Sequence, residues 1–397
     1  MTEAALETFR ASTRAWLEHN CPPSMRTPMT SDDDAIWGGK KFVYKNPEGK
    51  LWLDRMAEKG WTAPTWPKEC GGGGLSNAEN NILQSELRRL NARAPLFSFG
   101  LWMLGPVLLE YASEAQKKEH LPRIVRGEIR WCQGYSEPGA GSDLAGLQTK
   151  CEDKGDHWLI NGQKIWTSYA NHADWCFCLV RTDTSVKHEG ISFVLIDMTS
   201  PGVETRPIKL ISGDSPFCET FFTDVKIPKE NMVGRRNGGW EIAKRLLQYE
   251  RTNISGFGSG ARLEVVDIAK ANVGVDESGV LEDRDLRARI SRHKMVERAY
   301  ALTVQRAQVE AKSGGNVSHM ASMFKVAGAT LNQERTELMV EAAGSRAFGW
   351  GGETFRPDEL AVTRGWLRAK GNSIEGGTTE VNLNVVAKRV LGLRDSQ

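Results

Sequence analysis

Between Trp131 and about Gly239 the apolar residues alternate as they do along strands, whereas on either side they recur at helical spacing. The segment His157-Trp158-Leu159-Ile160-Asn161-Gly162-Gln163-Lys164-Ile165-Trp166 sets an Asn-Gly pair between two β-rich runs, which predicts a hairpin turn there. Further strands are expected at Asp174–Arg181, Ile191–Asp197 and Thr220–Ile227, the last stopped by Pro228. This spacing suits a β-barrel or sandwich better than βαβ units. Upstream, Leu83, Leu87 and Leu90 follow helical intervals, and Leu101–Tyr111 reads as a further apolar helix. Downstream, Leu286 and Ile290, then Met295, Ala299 and Leu302, imply long helices laid side by side as a bundle. The chain therefore reads as an α+β multidomain protein: an N-terminal helical domain (1–128), a middle β-domain (129–239) and a C-terminal helical bundle (240–397).

Composition narrows the function classes. The 397 residues, 40% hydrophobic and 26% charged, allow two or three folding units with dry interiors. A net charge of +2 gives no field that would select nucleic acid. No run of about 18 apolar residues suggests a membrane span, and Met1–Glu18 lacks the basic start and apolar block of a secretory signal. The seven scattered cysteines form no Cys-x-x-Cys pair and read as buried reduced thiols, which fits a cytoplasmic setting. The loop Cys70-Gly71-Gly72-Gly73-Gly74-Leu75 has no following Lys-Ser/Thr and reads as a flexible turn rather than a P-loop. Gly256, Gly258 and Gly260 have neither the spacing nor the preceding strand of a dinucleotide fingerprint.

Four segments carry a more specific message. They are Gly60-Trp61-Thr62-Ala63-Pro64 through Trp66-Pro67 to Gly74-Leu75; Gln133 to Asp143, containing Tyr135-Ser136-Glu137-Pro138-Gly139-Ala140-Gly141-Ser142-Asp143; Asn161 to Ser168; and Ile374-Glu375-Gly376-Gly377-Thr378-Thr379-Glu380, closed by Arg389–Leu393. In this order they resemble the FAD-dependent acyl-CoA dehydrogenase family. The resemblance implies a helical domain, a middle β-domain and a C-terminal four-helix bundle. It also implies non-covalent FAD, an acyl-CoA substrate oxidised to the trans-2-enoyl-CoA, and an electron-transferring flavoprotein as acceptor. By the same resemblance Gln133, Tyr135, Ser136, Gly141, Ser142, Trp166 and Ser168 would line the flavin, with Ser142 also meeting the acyl-CoA. Glu341, at the place of a more usual Gln, Gly344, Thr378, Thr379 and Glu380 would touch the cofactor further along the chain.

Removing the weakly acidic α-proton of a thioester requires a carboxylate in a water-poor pocket. The family offers two positions for it. Glu375 lies beside one, although an ungapped count from Val385–Leu393 sets Gly376 there. Glu250, followed by Arg251, matches the helix-borne base of a second subgroup and is preferred, with Arg251 orienting base or substrate. The segment Asn272–Arg292 lacks the Arg-x-x-Phe-Gly of many homologues, so a homodimer, a homotetramer or pairing with a related subunit all stay open. Two other readings of the same fold remain: an oxidase or monooxygenase, and a non-catalytic subunit. Straight-chain, branched and ring-bearing acyl groups are equally compatible.

Overall fold

The computed structural model describes residues 2–29, 34–254, 263–312 and 320–394, with residues 251–254 and 311–312 described in backbone only. Gly256, Gly258 and Gly260 lie outside the described residues. The chain divides into two compact units, Met1–Ile208 with Pro216–Ala261, and Lys209–Ser215 with Arg262–Gln397.

The first unit opens with helices α1 (Glu3–Asn20), α2 (Pro47–Glu58), α3 (Asn77–Arg89), α4 (Gly105–Tyr111) and α5 (Glu114–Val125). Ser76 and Ser113 start α3 and α5 with capping boxes closed by Glu79 and Gln116. Helix α1 docks on α3 through a buried carboxylate: Glu86 accepts from Arg10, Arg14 and Arg89 at 2.8–3.2 Å. The Arg14 hydrogen bond leads the effects that bring this carboxyl down to about 2. Leu83 is core, with Leu87 and Leu90 packed at its edge. The stretch from Leu101 does not form one regular helix. Gly100–Leu104 is a π-helical turn that passes into α4, where Gly105 approaches Trp66 so closely that a Cβ would lie 2.0 Å from the indole. Nor is the glycine loop a flexible turn. Backbone amides of Gly72, Gly73, Gly74 and Leu75 bond to carbonyls of Pro67, Ala63, Trp66 and Pro64. A Cβ on Gly72 would meet Trp66 O at 2.4 Å, so the glycines serve close packing.

Eight strands follow: β1 (Trp131–Gly134), β2 (Lys150–Asp153), β3 (His157–Ser168), β4 (Trp175–Arg181), β5 (Ile191–Asp197), β6 (Val203–Ile208), β7 (Phe217–Pro228) and β8 (Met232–Val233). They form one sheet in the order β6-β7-β3-β2-β4-β5-β8, with β1 parallel to β4. One face encloses Cys132, Cys151, Cys176, Cys178, Val194, Phe222 and Val225. Residues of alternate parity, Trp131, Phe177, Leu179, Phe193 and Leu195, join Leu104, Leu108, Leu121 and Ile124 of the helical segment. Strand β4 is thus buried on both faces, and helix α6 (Gly239–Ile254) adds Ile242, Ala243 and Leu246 to the same core. All seven cysteines are buried and free, as expected.

Asn161-Gly162 is not a hairpin turn. It lies inside the continuous twelve-residue strand β3. Gly162 is required by approach of the neighbouring strand entry, since a Cβ would fall 2.6–2.8 Å from Thr149. Asn161 spends its side chain on Asp224, accepting from its amide at 2.8 Å and donating to its carboxylate at 3.0 Å. There β7 carries the extra residue of a bulge, with Asp224 at φ +51°. Strand β7 also begins three residues before the expected Thr220.

In the second unit, α7 (Val265–Asn272), α8 (Arg284–Lys312), α10 (Pro357–Ala369) and α11 (Thr379–Val385) pack against the central α9 (Met320–Ala343). Leu286 and Ile290 are core, but Met295 and Leu302 on the next turns of α8 are exposed. Their helical spacing continues without being covered by any described residue of this unit.

His120 of α5 lies edge-on to Trp131 and Trp175, with ring centroids 5.4 and 5.1 Å away. Burial lowers its pKa from 6.5 to about 4. The neutral ring's contribution to stability is therefore complete above about pH 6.5 and is lost as pH falls towards about 4. Between pH 7 and 5 the wild type is expected to lose about 2 kcal/mol more than a His120→Phe variant in urea denaturation. Equal losses would contradict a titrating His120.

Candidate active site

The signature loop Tyr135–Asp143 leaves the end of β1 and is tied to β3 by a buried ion pair. Lys164 is fully buried; its ammonium donates to Glu137 Oε1 at 2.8 Å and to the Tyr135 carbonyl at 3.1 Å. Glu137 also accepts from the amides of Gln148 at 2.6 Å and Thr149 at 2.9 Å. Burial opposes ionisation of Glu137, but the charge and hydrogen bond of Lys164, with the Thr149 and Gln148 donors, hold its pKa below the usual range. The loop is joined a second time where Ile165 N donates to Ser136 O at 2.9 Å.

Just beyond Lys164 the register between β3 and β7 shifts. Lys164 faces Thr220 and Thr167 faces Cys218, so Ile165 and Trp166 together oppose Glu219. This is a bulge on β3, the device by which a strand re-aims a side chain. Trp166 adopts φ +61° and shows 52% of its surface, with its ring edge-on to Phe217 at 6.1 Å. Tyr169, at φ +53°, closes the segment. Its ring lies 5.1 Å from the Arg130 guanidinium, which also sits 4.2 Å over Trp37. Burial brings Arg130 down to about 10.

Around these anchors the residues singled out in the sequence fall as follows. Gln133 is half-buried on β1 opposite Phe177. Ser136 and Ser168 are half-buried, while Gly141 and Ser142 are exposed. A Cβ on Gly139 or Gly141 would meet nothing within 4 Å. Tyr135 is 5% exposed, and its hydroxyl has no hydrogen-bond partner among the described residues. Burial first, and the Glu250 carboxylate second, raise its pKa well above the ordinary phenol. Glu250 therefore stands in electrostatic reach of the signature loop. It continues the buried stripe Ile242, Ala243 and Leu246 of α6, and one of its carboxylate oxygens is buried. The Arg251 side chain lies outside the described residues. An indole set out on a bulge, an open glycine loop and a buried hydroxyl without a protein partner fit a planar, hydrogen-bonding cofactor.

In the second unit Glu375 is held by Arg368 at 2.7 Å and by Asn372 at 2.6 Å, with its side chain 41% exposed. Gly376 and Gly377 follow at φ +64° and +88°. Thr378 caps α11, accepting from Val381 N at 3.1 Å, and backbone and Thr378 hydrogen bonds lower the Glu380 pKa. Glu341 forms a bidentate ion pair with Arg289 at 2.5 and 2.7 Å. Gly344 ends α9 at φ +56°. Neither Glu137 nor Lys164 has a role that the sequence alone assigns. Lys164 follows the polar Asn161-Gly162-Gln163, so no local pattern marks it as buried.

Along the chain a helical segment, an eight-stranded sheet and a second helical unit follow one another, with the glycine-rich loop bonded to the bulged strand. The profiles of the N-terminal, middle and C-terminal domains of acyl-CoA dehydrogenases match residues 3–128, 132–225 and 237–391. Acyl-CoA dehydrogenase IpdE1 of Mycobacterium tuberculosis is 36% identical over 98% of both chains. The solved Tcur3481-Tcur3483 steroid ACAD is 28% identical, covering 100% of this chain and 99% of that one at a TM-score of 0.77. The ChsE4-ChsE5 complex from Mycobacterium tuberculosis gives 27% identity over 100% and 99% of the chains and a TM-score of 0.71. The chain belongs to the acyl-CoA dehydrogenase family and is an oxidoreductase of that kind. Among the described residues no helix is long and apolar enough to cross a membrane, and no cluster of metal-ligating side chains occurs.

Breaking the Lys164–Glu137 pair from one side strands a buried charge, which costs about 3–5 kcal/mol. Lys164→Met is expected to lose that much in chemical denaturation, and adding Glu137→Gln to recover part of it. A Lys164→Met variant as stable as the wild type would refute the clamp.

Proposed function

We propose that this enzyme oxidises an acyl-CoA thioester between its α- and β-carbons, with Glu250 taking the α-proton. The observation that carries this reading is the setting of Glu250: part of its carboxylate is buried and it acts on the buried Tyr135 phenol, within the signature loop. Such a position favours a base that must work away from bulk water. Glu375 is the alternative base, but its carboxylate is already engaged by Arg368 at 2.7 Å and by Asn372 at 2.6 Å.

FAD fits the site through Tyr135, Ser136, Trp166 and Ser168, with Gln133, Gly141 and Ser142 along the loop. Glu341, Gly344, Thr378 and Glu380 are proposed as its contacts in the second unit. When bound, FAD supplies the two-electron acceptor for the hydrogen that leaves the β-carbon. The chain's own residues do the rest. The Trp166 indole packs on the cofactor and sheds water from it. Ser142 and Arg251 orient the thioester. The α-C–H bond breaks with its proton passing to a Glu250 oxygen, and its electron pair becomes the new α,β-double bond. An electron-transferring flavoprotein is the proposed acceptor.

The steroid enzyme among the similar structures supports a ring-bearing acyl group, and the ChsE4-ChsE5 complex supports assembly with a related chain as an alternative to a homodimer or homotetramer. Anaerobic flavin bleaching across straight-chain, branched and ring-bearing acyl-CoAs is expected to be fastest with the last. With that substrate, Glu250→Gln is expected to slow reduction by about 10²–10⁴-fold, whereas Glu375→Gln leaves it within a few-fold. The reverse ranking would move the base to Glu375.

A further inference from the structure

Helix α6 presents two neighbouring stripes. Ile242, Ala243, Leu246 and Glu250 lie along the buried one; Arg245 and Tyr249, one turn apart, lie beside it. Both members of the second stripe converge on a single carboxylate of α4. Arg245 donates to Glu110 from Nε at 2.9 and 3.0 Å and from Nη2 at 2.7 Å. The Tyr249 hydroxyl donates to the same carboxylate. Arg245 also donates to Tyr249 Oη at 2.9 Å, with its guanidinium carbon 4.7 Å from that ring's centre. A second support comes from Gln248, which accepts from Arg245 at 3.0 Å.

The cluster is partly exposed: 41% of the Arg245 side chain and 34% of the Glu110 side chain face solvent. Ion pairs so placed add little to stability. Their geometry is another matter. Arg245 and Tyr249, bonded to one carboxylate and to each other, fix the Tyr249 ring, and Tyr249 is the residue before Glu250. A displacement of about 1 Å at a reacting group can cost 10²-fold in rate, so a brace worth little in stability can matter greatly in catalysis.

We propose that Glu110 is a positioning residue for Glu250, holding the α6 turn that carries the base through Arg245 and Tyr249. The inference rests on Glu250 being that base. Glu110 is bonded to Arg245 and Tyr249 and stands outside the residues proposed for substrate and cofactor. Its removal leaves the cofactor-binding loop intact and changes only the aim of the Glu250 carboxylate.

The test compares FAD-loaded wild type, Glu110→Ala, Glu110→Asp, Glu250→Gln and the double variant Glu110→Ala/Glu250→Gln. The probe is the acyl-CoA that bleaches the wild-type flavin fastest, mixed anaerobically. Glu110→Ala is expected to lower the limiting rate of bleaching by about 10–100-fold, with half-saturating acyl-CoA, flavin content and visible spectrum unchanged. Glu110→Asp recovers most of the rate. On the Glu250→Gln background the Glu110→Ala change adds no further loss. A Glu110→Ala rate equal to wild type, or an equal fractional loss on both backgrounds, overturns the proposal while leaving the base assignment standing. Loss of flavin or of substrate saturation in Glu110→Ala overturns it in favour of a merely structural role. A Glu250→Gln enzyme that bleaches at the wild-type rate removes the base assignment itself, and this inference with it.

Discussion

The Lys164 ammonium is the point on which the middle domain turns. A cation with no solvent exposure needs a counter-charge and hydrogen bonds, or the strand that carries it is driven out of the core. Glu137 and the Tyr135 carbonyl meet that need. Glu137 in turn draws in the amides of Gln148 and Thr149. One buried pair thus gathers the end of β1, the signature loop, the entry to β2 and the middle of β3. Apolar packing alone would leave the loop's exposed glycines without a fixed path.

Once Lys164 is fixed, the next residues have little freedom. Ile165 turns its amide to Ser136 instead of β7, which opens the bulge and sets Trp166 outward in a left-handed conformation. A large apolar side chain half in solvent costs burial that a soluble domain ordinarily takes. Such a position makes sense as a surface for a ring to lie on. The same ordering principle reaches Glu250 from the other side, since α6 packs by Ile242, Ala243 and Leu246 on the face of β4 and β5 opposite the cysteine-rich core.

The order of helical and β regions was legible because periodicity is a local property. The strands at Ile191–Asp197 and near Trp175–Arg181 could be read from runs of apolar residues alone. Asn161-Gly162 was misread because its turn chemistry is real but is used differently: the glycine makes room for Thr149, and the asparagine satisfies a bulge on β7. No local rule distinguishes those uses. Met295 and Leu302 keep helical spacing yet stay exposed, since spacing says which residues share a face and not what covers it. The site was legible mainly as motif. Spacing could not reveal that Glu137 and Lys164, quoted in two separate motifs, are partners 27 residues apart in sequence, nor that Glu375 is occupied by Arg368.

If the Lys164–Glu137 pair shapes the surface proposed for FAD, a fluorescence titration of apo-protein with FAD reads that role most directly. The wild-type chain is expected to bind and quench FAD stoichiometrically. A Lys164→Met variant, kept under conditions where circular dichroism shows it folded, is expected to bind at least about tenfold more weakly, the equivalent of 1.4 kcal/mol. Equal FAD affinity in the two folded proteins would contradict the account.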